Sequence, residues 1–535
     1  MKLLIRNAKI YQSRGQFTDA LYIEDGIIVL DGDEALDKET VLSPDEVMDL
    51  EGKTVVPGFN DAHLHFYQTG LALETVDLYG ATSVAQVIDR GRRFLRGLPD
   101  GRPLVGRGFN QDHFEDRSLP TRHDLDLISS ERPVIFTRAC SHLAVVNTFA
   151  LEKLLGGGLV PSISGGSIDL GEDGRPNGIF RENALLMLDS LYEEETVDRI
   201  LHRLRNAART AVKEGLTSLQ VNDLWMDSPG AENMEKAYVL FTKEKNTVRI
   251  YHQLYFKSLS TFEKRISEGW DRSSSPYHRY GLLKMYADGS LGARTAYMRK
   301  PYADDPGTRG LPTMNEESLM AFMTLAERSG VQMAIHVIGD AALEMALDCF
   351  ERTMEEGNPL RHGLIHVQIT DSPLLERIRK LGLLVYAQPI FLHNDLHVVK
   401  DRVGEDLAST SYAFGTMEKL GIQVAYSTDS PIESLRVMEN LHCAVNRQDL
   451  HGFPQGGFYP EERVDRFSAL DNMTLTPAYA SFEENKKGRL LTGYYADLVV
   501  LDTPYFDVDA SEIRKISVDM TMIGGHIVYD RNRAE

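Results

Sequence analysis

Six residues with side chains suited to binding a metal or moving a proton stand out because they lie in or at the ends of short apolar runs. His63 and His65 close "TVVPGFNDAHLH" (54–65). Lys284 lies in "GLLKMYADG" (281–289), His336 in "VQMAIHVIGD" (331–340), His366 in "HGLIHVQIT" (362–370) and Asp429 in "QVAYSTDS" (423–430). Residues two apart on a strand point to the same side, so His63 and His65 can reach one cation. Imidazole suits zinc and its neighbours, and a carboxylate completes such a set. Singly, each residue has a plain reading. An HxH pair arises readily by chance among 16 histidines. A lone histidine in an apolar run is commonly a hydrogen-bonded core residue, and Asp429 fits an N-cap for a following helix. Lys284 fits a stem laid along the strand with its ammonium reaching a loop carboxylate such as Asp288. Lysine is seldom fully buried without a partner, so its place in this run needs a reason.

The elements that would position these groups form a series. Three further runs, "LTSLQVND" (216–223), "VRIYHQLYF" (248–256) and "LLVYAQP" (383–389), bring the total to eight. They offer Asn222, Asp223, Gln253 and Gln388 as less consistent candidates. Amphipathic stretches separate most of the runs. "EESLMAFMTLAERSG" ends in Gly330 and "SPLLERIRKLG" in Gly382, each just before a run. Helix, glycine, strand is the signature of parallel βα units, and near-continuous apolar strands favour a sheet covered on both faces. The expected fold is α/β: a (β/α)8 TIM-like barrel spanning 58–487. Its catalytic residues would sit at the C-terminal strand ends.

The interval 66–215 is too long for one crossover. It contains "RPVIFTRAC" (132–140) and a Gly-rich stretch (165–178), which predicts an inserted lobe at about 100–195. The helix "VDRILHRLRNAARTAVKEG" (197–215) would lead back to the barrel. The termini, 1–57 and 488–535, read as short strands with glycine turns and predict a composite β-sandwich.

Totals narrow the function. The net charge of -21 disfavours nucleic acid and anionic membrane surfaces as partners. No window approaches a membrane helix, and the N-terminus reads as a strand rather than a signal peptide. Cys140, Cys349 and Cys443 have no metal-type spacing and fit a reducing cytoplasm. Phosphate-loop and HExxH motifs are absent. "GRGFNQ" lacks the context of a dinucleotide fingerprint.

"PGFNDAHLH" (57–65) resembles the strand-one motif of the amidohydrolase superfamily. The chain is further similar to its YtcJ-like (AepA-like) branch, which includes N-substituted formamide deformylases. That closer likeness rests on "GRGFNQDHF" (106–114), "SHLAVVNTFAL" (141–151), "GRPNGIFRE" (174–182), "KMYADGSLGARTA" (284–296), "QPIFLHND" (388–395) and "STDSP" (427–431). Departures from the branch's common forms, at Ile365, Ala341 and "STD", remove no ligand but weaken any transfer of substrate identity. The resemblance implies two divalent metal ions, most often zinc. His63, His65 and Asp429 would bind one and His336 and His366 the other. Lys284, carboxylated by CO2, would bridge them. It further implies a metal-bridging hydroxide attacking an amide or N-formyl/N-acyl carbon–nitrogen bond, with Asp429 as proton shuttle. Asp112, His142, Arg181, Asp288 and His393 are the expected substrate contacts of a small molecule. A homodimer is compatible with the scaffold. The alternatives are a mononuclear deaminase or cyclic-amide hydrolase on the same scaffold, and a non-catalytic regulatory homologue.

Overall fold

The fold is described from a computed structural model covering all residues except 38–42, 100, 140–141, 157–159, 193, 245–246, 271–274 and 534–535. Eight apolar runs become eight parallel strands of one sheet, hydrogen-bonded in chain order. They are Phe59–Leu64 (β1), Leu216–Trp225 (β2), Arg249–Tyr255 (β3), His278–Tyr286 (β4), Met333–Val337 (β5), Gly363–His366 (β6), Leu384–Ala387 (β7) and Val424–Tyr426 (β8). This is the expected TIM-like barrel. Buried Ala62, Tyr251, Leu282, Ala334, Ile365, Leu384, Tyr386 and Ala425, contributed by seven of the strands, pack in one apolar cluster. Two residues beyond Leu282 and Ala334, on the same faces, stand Lys284 and His336. On β4 and β5 the strand period carries the packed core into the polar site.

Local signals hold where they were read. Glu316–Arg328 is a helix whose N-cap Asn315 accepts from Ser318 N. Ser372–Leu381 is a helix ending on Gly382 in the left-handed conformation. Val197–Lys213 is the helix leading into β2. The run 54–65, expected as one strand, breaks at Gly58. Thr54–Pro57 joins the terminal sheets and Phe59–Leu64 the barrel. A Cβ at Gly58 would lie 2.3 Å from Thr217 Oγ1, so the break passes too close to β2 for any other residue.

The termini form two sheets. One contains four strands between Lys2 and Asp49; the other joins strands from 9–57 to strands from 498–530. Leu3, Ile5, Leu21 and Ile23 of the first pack with Ile10, Val55, Leu498 and Met522 of the second in one core, which makes the pair a sandwich. A buried ion pair ties it to the barrel. Arg249, the first residue of β3, donates through Nε and Nη2 to the two carboxylate oxygens of Asp497 at 2.7 and 3.0 Å, and both side chains are 4% exposed. Tyr277 and Tyr495 lie against the guanidinium.

The inserted unit runs Thr69–Arg199, so it begins well before the expected 100. The reason is pairing: Val76–Asp77 is an edge strand on Leu104–Phe109, and Val84–Leu95 packs on the same core. Its sheet has six strands, including Val134–Arg138 from the predicted extra run. Separate apolar clusters cover its two faces. No helix among the described residues is long and apolar enough to cross a membrane. Cys349 and Cys443 are buried free thiols, and Cys140 lies outside the described residues.

Removing one partner of a buried ion pair strands the other charge, which costs about 3–5 kcal/mol. Asp497→Ala is therefore expected to lower unfolding stability by that order in urea titration. Replacing both partners by apolar residues should recover most of it; a single-variant loss below about 1 kcal/mol would show that the pair does not anchor the sandwich.

Candidate metal centre

The sheet has no regular pairing between β8 and β1, and the groups that fill this seam build the site. Asp61, fully buried on β1, accepts from Thr428 Oγ1 at 2.5 Å and from the Thr428 and His63 backbone N–H groups. Asp429 N donates to His63 O, and His65 N donates to Ser430 O. These bonds set His63 and His65 beside Asp429. Asp429 Oδ1 lies 3.5 Å from His63 Nε2 and 3.4 Å from His65 Nε2. Asp429 caps no helix: the next one, Val437–Asn446, is capped at Arg436.

His366 ends β6, with its ring 6.0 Å from His63 and 4.5 Å from His336. His366, Val367 and Asp429 have φ of 79°, 52° and 56°. Left-handed backbone is strained for such residues, and strain of this kind gathers at functional sites.

Each histidine is turned by an acceptor on its Nδ1. His63 Nδ1 donates to Gln253 Oε1 at 2.6 Å, an orientation fixed because Gln253 Nε2 donates to Ala62 O. His366 Nδ1 donates to Gln388 Oε1 at 2.7 Å, while Gln388 Nε2 donates to Tyr386 O and Ser427 Oγ. His65 Nδ1 donates to the Asn222 carbonyl at 3.1 Å, and His336 Nδ1 to Asp288 Oδ1 at 3.1 Å. With Nδ1 protonated, the lone pair of a neutral imidazole sits on Nε2. Burial is the largest influence holding all four rings below their ordinary pKa. The nearby Lys284 ammonium presses each further, and His65 falls to about 4. The rings are neutral and ready to donate electron pairs.

Lys284 is 0% exposed. Neither its Nζ nor Asp429 Oδ1 has a hydrogen-bond partner among the described residues. Burial pulls the lysine pKa down against the attraction of Asp429 and Asp288, and pushes the Asp429 carboxyl up against the attraction of Lys284. A buried anion edged by two imidazole lone pairs has no donor, which is the electrostatic mould of a cation. Among the described residues, one group of possible ligands has all its ligand atoms within 4.8 Å of one another: His63, His366 and Asp429. It takes two members from one expected ion set and one from the other.

A family model described as "Amidohydrolase family" matches residues 46–529. The chain belongs to the amidohydrolase family. Over 536 residues this amidohydrolase is 30% identical to the putative amidohydrolase YtcJ of Bacillus subtilis, covering 99% of this chain and 100% of that one. It is 26% identical over 545 residues to an N-substituted formamide deformylase of Arthrobacter pascens, covering 99% of this chain and 98% of that one. An uncharacterised metal-dependent hydrolase from Pyrococcus horikoshii OT3 has a solved structure with a TM-score of 0.78 at 31% identity, covering 95% of this chain and 99% of that one.

The six expected ligands lie near the C-terminal ends of five barrel strands of the amidohydrolase, and among the described residues the ligand atoms of His63, His366 and Asp429 come within 4.8 Å of one another. The expected substrate contacts differ. Asp288 is not open to a substrate: its side chain is fully buried, and it accepts from His336, Tyr297 N, Ile338 N and Gly339 N. It attracts the lysine ammonium without hydrogen-bonding to it. His393 Nδ1 accepts from Leu450 N. Asp112, His142 and Arg181 belong to the inserted unit, where they pair with Arg138, Glu182 and Asp169. The residues that sequence reading left without a role are Asp61 and the acceptors Gln253, Gln388 and the Asn222 carbonyl. Asn222, Gln253 and Gln388 came from the runs that offered only less consistent candidates, and nothing in the sequence signalled that they would hold imidazoles.

Gln388→Leu removes the acceptor that orients His366. Metal affinity is expected to fall about 10- to 100-fold in competition with a fluorescent chelator, with thermal stability of the metal-free protein little changed. Unaltered affinity would show that the ring is held by packing alone.

Proposed function

We propose that the protein hydrolyses a carbon–nitrogen bond other than a peptide bond, in an amide or an N-formyl or N-acyl amine. Its divalent metal would be held by His63, His65, Lys284, His336, His366 and Asp429. The observation that carries this reading is the unsatisfied pair at the centre: Lys284 Nζ and Asp429 Oδ1, both buried, among four oriented imidazoles. The names of the deformylase and hydrolase relatives support it. Divalent cations bound there would lower the pKa of water and polarise a carbonyl oxygen.

The chain's own residues supply the rest. Gln253, Gln388, Asn222 and Asp288 hold the four rings and prevent their rotation. Asp429 is the proton carrier. Its raised pKa makes it a better base than an ordinary carboxylate, so it takes a proton from water and returns it to the leaving nitrogen. Lys284 with a lowered pKa presents a neutral amine. That amine adds to CO2 and releases one proton, giving a carbamate anion. The modification would replace a buried neutral amine that has no hydrogen-bond partner among the described residues with an anion, the charge that a cation-binding centre needs.

The convergence of His63, His366 and Asp429 on one point favours a second reading, a single-ion deaminase or cyclic-amide hydrolase. Metal content separates the two. Two equivalents per chain by mass spectrometry, falling in His63→Ala and His366→Ala, support the binuclear hydrolase; one equivalent supports the alternative. Protein equilibrated with 13C-bicarbonate should show a carbamate carbon resonance that is lost in Lys284→Ala. Asp429→Asn should lower kcat by about a hundredfold or more on any N-acyl or N-formyl amine that the protein cleaves. A metal-replete Lys284 whose electron density ends in a bare amine would defeat the bridging role.

A further inference from the structure

Three aromatic rings stand at the C-terminal ends of adjacent strands beside the metal centre, and the chemistry above uses none of them. Trp225, Tyr255 and Tyr286 are the last residues of β2, β3 and β4. Their ring centroids are 4.8 Å (Trp225–Tyr255), 5.8 Å (Trp225–Tyr286) and 5.4 Å (Tyr255–Tyr286) apart, at mutual tilts of 52°, 48° and 73°. The cluster is fixed to the reacting groups. The Tyr286 ring lies 4.7 Å from Lys284 Nζ and 5.5 Å from the His336 ring. Its hydroxyl donates to Asn222 Oδ1 at 2.5 Å, and the Asn222 carbonyl holds His65. The outer member is open: Trp225 is 42% exposed although two rings pack against it.

We infer that Trp225, Tyr255 and Tyr286 form a subsite for an aromatic substituent on the substrate, so that the enzyme selects aryl amides over saturated amides of equal size. The inference rests on the hydrolase reading and adds the substrate class. Rings this close to one another leave no room for a group between them, so the cluster offers a face rather than a cage. Tilted and offset contacts between ring quadrupoles favour an aryl group on that face beyond the area it buries. Tyr286 touches both the lysine and a histidine of the centre, so a group stacked on Trp225 sits one ring away from the scissile bond. An exposed indole on a rigid aromatic floor is costly in water and well suited to a ligand.

The test uses N-(2-phenylethyl)formamide and N-(2-cyclohexylethyl)formamide with the metal-loaded protein, its Trp225→Leu variant and its Trp225→Phe variant. Thermal midpoints confirm folding. Trp225→Leu should lower kcat/KM for the phenyl amide roughly three- to tenfold and for the cyclohexyl amide under about twofold, with Trp225→Phe retaining most activity. A second readout needs no turnover. The chain has 2 tryptophans, and Trp270 is set apart, with its Nε1 bonded to Gly281 O. 2-Phenylethylamine should quench emission in the parent protein, and this quench should vanish in Trp225→Leu. Equal losses for both amides, or no Trp225-dependent quenching, would overturn the subsite. Quenching without hydrolysis of either amide would uphold the subsite and overturn the hydrolase reading.

Discussion

The barrel depends on how its first and last strands meet. Seven neighbouring pairs of strands are joined by ordinary parallel ladders, but β8 and β1 are not. Asp61 reaches across with its carboxylate, and two backbone bonds beside it finish the ring. A fully buried carboxylate is costly unless it is well hydrogen-bonded. Here its acceptor capacity is taken up by the seam, and burial still pushes its pKa up to about 7. The same few residues close the sheet and set His63, His65 and Asp429 on one point. The geometry of the site follows from the geometry of closure.

Much of this was legible in the sequence because the strand period carries it. Apolar runs of the right length, most of them separated by amphipathic helical stretches, admit few arrangements other than a barrel, and Lys284 and His336 stood out as polar residues inside such runs. The sandwich was legible for a similar reason, since neither end of the chain has enough apolar residues for a core alone. The limits of the inserted unit were less visible. Val76–Asp77 is only two residues long and declares itself only by pairing with a distant strand.

The side chains that orient the ligands were hidden for a different reason. Gln253 and Gln388 are ordinary polar residues in apolar runs, and nothing local says that an imidazole from another strand will lie against them. Only the register of a closed sheet brings Gln253 to His63 and Gln388 to His366. Asp288 misled in the opposite direction. A carboxylate in a turn after a strand invites a substrate role, but three backbone N–H groups and His336 hold it.

Asp288 has one more consequence. It is the one ionisable acceptor among the four Nδ1 partners; Gln253, Gln388 and the Asn222 carbonyl are neutral. A carboxylate behind an imidazole makes its far nitrogen the stronger electron donor. The centre is thus electronically lopsided, with a richer ligand on β5 than on β1 or β6. A cation near His336 would meet a stronger donor than one near His63 or His366.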